Sequence, residues 1–193
     1  YLSYAWGDTR EEGESREKIV KDLISTLEAD GRFDLKYDKK DVDYRKSIRE
    51  FESELGKAER IALVLSDKYL KSPHCMYELL QIFRKSGSEA AEFREKIVPI
   101  VLPDAKIHDT KSIIAYIKHW KEDVEDLKKD IDDITWELAA SVIPVFTERN
   151  EIMQNIGELA KIIGDLNTLS PQSLSLDNFD KIIQTLLNAT SKQ

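Results

Sequence analysis

The sequence predicts an α/β fold built on a doubly wound parallel sheet, with additional helices toward the C-terminus. Three observations predict it. The run IALVLS (61–66) is apolar on both faces, as a strand is when helices cover both sides of a parallel sheet. Strand-like and amphipathic helical segments alternate repeatedly up to Pro103. The chain of 193 residues is long enough for one sizeable core and too short for two ordinary domains.

Taken in order, YLSYA (1–5) reads as a short strand and WGDTREEGE (6–14) as a polar loop with two glycines. A helix is expected from Ser15, carrying Ile19, Val20, Leu23, Ile24 and Leu27 on one face, and Asp30-Gly31 ends it with a residue that tolerates left-handed backbone. FDLKY (33–37) is the second expected strand, followed by the charged loop DKKDVDYRK (38–46) and a helix marked by Ile48, Phe51 and Leu55. After the strand at 61–66, residues 67–72 form a loop into a helix with Ser72 as N-cap and Pro73 at its first position, where the missing N–H costs nothing. A Gly/Ser break at Ser86–Ser88 precedes a fourth strand, KIVPIVLP (96–103).

Beyond Pro103 the pattern is helical. IIAYIKHW (113–120) is a short helix or a fifth strand, and Val124, Leu127, Ile131 and Ile134 then recur at helical spacing. Residues 145–166 form a long amphipathic stretch through Ile152, Ile156, Leu159 and Ile163. NTLSPQSLS (167–175) is loop-like, and a last helix follows with Asp177 as candidate N-cap and Phe179, Ile182, Ile183, Leu186 and Leu187 on one face. The expected organisation is one domain over 1–166, best supported over 1–120. Residues 167–193 are a loop and helix that pack on it or lead toward another module.

Composition narrows the function. The net charge of −8 and pI near 5.1 argue against a nucleic-acid backbone or an anionic membrane as main partner, because both select basic surfaces. A single cysteine, Cys75, excludes an internal disulfide and suits a reducing compartment; the Asn188-Ala189-Thr190 sequon would matter only on secretion. No apolar run approaches the ~18 residues of a membrane span. These features describe a soluble, cytoplasmic domain. From its abrupt opening in strand-like sequence, a larger parent protein is expected around it. Gly-rich phosphate loops, metal-ligand spacings and a G-x-S-x-G elbow are missing from the sequence.

The stretch SPHCMYELLQIF (72–83) raises the question of chemistry. Met76, Leu79, Leu80 and Phe83 form one apolar stripe, and Glu78 points roughly opposite, with His74 one turn earlier. The simplest reading is a solvated carboxylate favoured near a helix start. Position supplies the other reading: in an open parallel sheet, ligands bind outside the carboxyl ends of the strands, where loops 6–14, 38–46 and 67–72 emerge. There Trp6 can stack on a ligand or lid the core, and Asp43, Tyr44 and Lys46 can reach a ligand or form a solvated turn. Cys75 reads as small buried filler rather than a nucleophile, and Trp120 and Trp136 as core.

YLSYAWGDTR, KYDKKDVDYRKSI and ALVLSDKYLKSPHCMYEL, in that order and spacing, resemble the Toll/interleukin-receptor (TIR) domain family. They are similar to its first strand and loop, its second strand with the BB loop, and its third strand with the helix carrying a glutamate, here Glu78. KIVPIVLP resembles the fourth strand, and His119-Trp120 stands where a late Trp motif is common. GDTR is similar to the plant branch. The resemblance implies a flavodoxin-like fold and one of two functions. Many members, especially bacterial, plant and axonal ones, are NAD+ glycohydrolases acting through the glutamate without metal or added cofactor; others, notably animal receptor and adaptor domains, are scaffolds for domain–domain assembly. It implies Glu78 as catalytic residue and Tyr4, Ala5, Trp6, Asp43, Tyr44, Lys46 and His74 around the substrate, with NAD+, other TIR domains and the rest of the parent protein as partners. The sequence departs from the pattern at His74, where the family usually has an aromatic residue, and in DVDYRKS, where Pro-Gly or Ala-Gly is common.

Overall fold

The computed structural model describes residues 1–5, 11–37, 58, 60–134, 138–166 and 179–188. Its elements are β1 (Leu2–Tyr4), α1 (Glu11–Asp30), β2 (Ile61–Leu65), α2 (Asp67–Lys71), α3 (Pro73–Lys85), α4 (Ala90–Lys96), β3 (Ile97–Val101), α5 (Thr110–Asp133), a 3₁₀ turn (Leu138–Ser141), α6 (Ile143–Gly164) and α7 (Asp180–Leu187).

The strands are parallel in the order β1-β2-β3, with Ser3 opposite Leu63 and Leu63 opposite Pro99. Alternation along β2 divides the core in two. Ile61, Leu63 and Leu65 face a cluster built with α2 to α6, whereas Ala62 and Val64 face a cluster built with α1 and α7. All five β2 residues are buried, so helices cover both sheet faces and the doubly wound α/β expectation holds. The same alternation in β1 sends Leu2 and Tyr4 to the α1 side and turns Ser3 toward α3.

Several expected boundaries move. FDLKY forms no strand: only Tyr37 bridges Leu2, supported by the Leu2 N–H donating to the Lys36 carbonyl at 2.9 Å. The reason is local, since β1 is three residues long and the segment meets it only at that end. The bridge still lies on the edge of β1 away from β2, so the chain reverses direction across the sheet between β1 and β2. Helix α1 starts at Glu11 rather than Ser15, absorbing Gly13, and ends at Gly31 with φ of +71° as expected. The expected loop at 67–72 contains α2, capped by Ser66, whose hydroxyl accepts from the Tyr69 N–H. Helix α4 has no counterpart among the expected elements.

Helix α5 resolves the ambiguity at 113–120 in favour of helix. Asp109 caps it by accepting from the Ser112 N–H at 2.9 Å, and one buried stripe runs through Tyr116, Trp120, Val124 and Ile131. Trp120 is fully buried and donates its indole N–H to the Leu70 carbonyl, tying α5 to α2. Helix α6 returns against α5, and its Ile152, Ile156, Leu159 and Ile163 enter the α3-side core. Phe179, with φ of +60°, occupies the N-cap position of α7, and Asp177 lies outside the described residues. So do the helix expected around Ile48–Leu55, the loops at 38–46 and 167–175, and Trp136.

Helix α6 ends in close contact with the segment after β3. A Cβ placed on Gly164 would lie 2.5 Å from the Ile107 carbonyl oxygen, backbone that cannot swing aside. Gly164→Ala is therefore expected to destabilise the fold by about 1–3 kcal/mol, measured as a lower urea midpoint at unchanged m-value.

Candidate functional site

Helix α3 begins as the sequence implies. The Ser72 hydroxyl accepts from the Cys75 N–H at 3.4 Å and Pro73 takes the first turn. The packing of its next two turns corrects the simplest reading of Glu78. Beside the stripe of Met76, Leu79, Leu80 and Phe83, a second one made of Cys75, Glu78 and Ile82 is also buried, because α3 lies between the sheet and α6. Glu78 is only 4% exposed. The face opposite the apolar stripe is packed, not solvated.

A buried carboxylate costs heavily unless hydrogen bonds replace its water, and Glu78 has partners on both oxygens. Ser3 donates its hydroxyl to Oε2 at 2.8 Å. Oε1 lies 3.1 Å from Nε2 of His74, the i, i+4 neighbour expected on the same side. The Ser3 hydroxyl is also 2.9 Å from the Tyr69 hydroxyl. Ser3 has one proton and gives it to the carboxylate, so Tyr69 donates to Ser3. Burial, then the neighbouring Cys75 and Glu78, raise the Tyr69 phenol well above its ordinary pKa, which keeps it a donor. The result is a directed chain from Tyr69 through Ser3 to Glu78, with His74 on the opposite oxygen.

These side chains come from both strands flanking the point where the chain reverses direction: Ser3 from β1, and Tyr69, His74 and Glu78 from the helices that follow β2. That is where an open α/β sheet offers a ligand site. His74 is the solvent-facing member, with a side chain 61% exposed. Across from it stands Glu148 of α6, whose carboxyl is raised by burial and pulled back by Arg149 and by His74.

Of the other expected site residues, Ala5 packs against the α3-side cluster, on the same face as Glu78. The Tyr4 ring belongs to the α1-side cluster and borders a cavity of about 190 Å³ with Val20 and Tyr37, so the structure does not bring it to Glu78. Its backbone carbonyl does face α3 and receives the Cys75 Sγ at 3.9 Å. Cys75 is buried, as expected of filler. Trp6, Asp43, Tyr44 and Lys46 lie outside the described residues. Ser3 and Tyr69 are the site members that sequence reasoning misses. The one available signal is a serine inside a strand of an otherwise apolar sheet, a buried polar group that needs a partner.

A larger cleft, about 1430 Å³, opens beyond the end of β3 between Arg16, Lys71, Asp104 and Tyr116. Ser72 and Pro73 border it, but Glu78 and His74 do not, so this cleft and the buried carboxylate are neighbours rather than one site. Among the described residues no three His, Cys, Asp or Glu side chains are grouped to hold a metal ion, and no helix is long and apolar enough to cross a membrane.

Fold and site together define a doubly wound α/β domain with a buried acidic centre beside its first strand. The chain belongs to the TIR domain family, whose model matches residues 1–132. Helices α6 and α7 lie beyond that match, although α6 completes the domain's core. No curated protein and no solved structure matches the chain.

Because Ser3 would lose its acceptor, Glu78→Ala is expected to destabilise the fold by about 1–3 kcal/mol. Glu78→Gln retains an acceptor oxygen and is expected to cost less than half as much. Urea unfolding of both variants checks this, and equal stability of the two would show that the Ser3 bond carries no weight.

Proposed function

We propose that this TIR domain cleaves the bond between nicotinamide and ribose in NAD+, with Glu78 as its catalytic carboxylate. The single observation that supports this best is that Glu78, though 4% exposed, is held by donors on both oxygens at the reversal point of the sheet. A carboxylate kept there at such desolvation cost suits the stabilisation of a positive charge.

The chemistry requires little else. As the C–N bond breaks, its electron pair leaves with nicotinamide, which departs neutral and needs no general acid. The ribosyl carbon becomes oxocarbenium-like, and an adjacent carboxylate lowers the energy of that state while accepting hydrogen bonds from ribose hydroxyls. Water then adds to the carbon and releases a proton, giving ADP-ribose; a nucleophile within the ADP-ribose itself gives a cyclic isomer. No metal or cofactor takes part. In this reading the domain is the effector part of a larger cytoplasmic defence or immune protein, switched on by self-association through the BB loop.

A second reading has its own observation. Glu78 is so fully enclosed and satisfied that it also suits a structural role, in which the domain is a non-catalytic scaffold for contacts with other TIR domains. Nicotinamide release from NAD+ by the concentrated chain separates the two. The enzyme reading expects turnover that falls about a hundredfold or more in Glu78→Gln; the scaffold reading expects none at any concentration. If the site is completed by a neighbouring domain, activity per molecule rises with protein concentration. A specific activity flat over a hundredfold dilution would indicate a site complete in one copy.

His74 adds a pH dependence. Neutral histidine leaves the Glu78 charge available, whereas the protonated ring pairs with it, so turnover is expected to decline as pH falls below the histidine range. His74→Trp, which restores the family's usual aromatic residue, is expected to flatten that acid limb. An identical limb in His74→Trp and in the parent would remove His74 from the mechanism.

A further inference from the structure

We propose that Ser3 and Tyr69 are positioning residues for Glu78: the hydroxyl chain anchors Oε2 and leaves Oε1, the oxygen facing His74, as the one that meets the substrate. This rests on Glu78 being the catalytic carboxylate and adds which residues set its geometry and which oxygen works.

The two oxygens differ in kind. Oε2 is bonded to Ser3, whose hydroxyl sits on a strand in the sheet and is 2% exposed at the residue level. Ser3 is in turn bonded to Tyr69, fully buried and fixed by the Ser66 cap on its own backbone N–H at 3.0 Å. Neither partner can follow a ligand or leave. Oε1 is bonded to an exposed histidine on the first turn of a helix, and that ring can swing into solvent. An arriving ribose hydroxyl can replace His74 on Oε1 without disturbing the core, whereas replacing Ser3 on Oε2 would leave the buried Ser3 proton without its acceptor.

Direction also matters. Protons along the chain all point toward the carboxylate, because Ser3 has one proton and gives it to Oε2, which leaves its lone pairs to accept from Tyr69. The chain therefore presents fixed positive dipole ends to one side of Glu78 and directs the remaining lone pairs outward. Among the described residues, other ionisable groups near this unit include Cys75 and Tyr1 near Tyr69, and Glu148 on α6 beyond His74.

The test compares Ser3→Ala, Ser3→Thr and Tyr69→Phe in the full chain. Two readouts are used: kcat and KM for NAD+, and the NMR shift of the Glu78 carboxyl carbon at neutral pH, assigned by its loss in Glu78→Gln. Ser3→Ala is expected to lower kcat about tenfold to a hundredfold with KM little changed, and to move the carboxyl signal. Ser3→Thr, which keeps a hydroxyl, restores most of both, and Tyr69→Phe gives a smaller change of the same kind. Should Ser3→Ala fail to fold, Tyr69→Phe decides alone. An unchanged kcat and an unmoved carboxyl signal overturn the proposal, as does a rise in KM alone. If the parent chain releases no nicotinamide while the carboxyl signal still moves, the anchoring of Glu78 stands and the NAD+ reading fails by itself.

Discussion

A carboxylate taken almost wholly out of water constrains everything around it. Burying Glu78 is tolerable only if hydrogen bonds meet both oxygens, and those bonds reach from α3 across to β1 and back to α2. The packing of α3 on the sheet, the pairing of β1 with β2 and the cap that starts α2 must all be in register for it to form. One buried charge thus ties together segments 75 residues apart in the chain.

Among the described residues, the rest of the architecture packs around that centre and leaves His74 as its solvent-facing member. Below it, β2 is buried on both faces; beside it, α6 covers α3, with Arg84 pairing to Glu151 at 3.1 Å along their contact. Helix α5 is tied to α2 through Trp120, and so supports the element that carries Tyr69. Of the four side chains in the bonded unit, His74 is the one that faces solvent to a large extent. Under the proposed function cost and role are linked: a preorganised, desolvated carboxylate stabilises a developing cation far better than one in water, at the expense of folding stability.

Much of this was legible in the sequence where a short physical rule sufficed. The double-sided apolar run of β2, the Ser72-Pro73 helix start and the glycine at position 31 each follow from local chemistry and hold. The pairing of His74 with Glu78 followed from helical spacing. The features that failed needed knowledge of neighbours. Glu78 read as solvated because one apolar stripe accounts for a surface helix, and the second stripe of Cys75 and Ile82 matters only once β1 is seen to lie against the side that carries Cys75 and Glu78. FDLKY has strand composition, but a three-residue β1 gives it almost nothing to pair with. Tyr69 lay in what read as a loop, and Ser3 in a strand too short to show its alternation, so neither could be linked to Glu78 in advance.

Whether Glu78 meets the ribose next to nicotinamide is tested most directly by a crystal structure of Glu78→Gln with NAD+ bound. The expected result is a ribose hydroxyl within about 3 Å of the residue 78 amide nitrogen on the His74 side, with His74 displaced and Ser3 still donating to the amide oxygen on the other side. A dinucleotide lying instead in the cleft between Arg16 and Tyr116, with residue 78 out of reach, would contradict it.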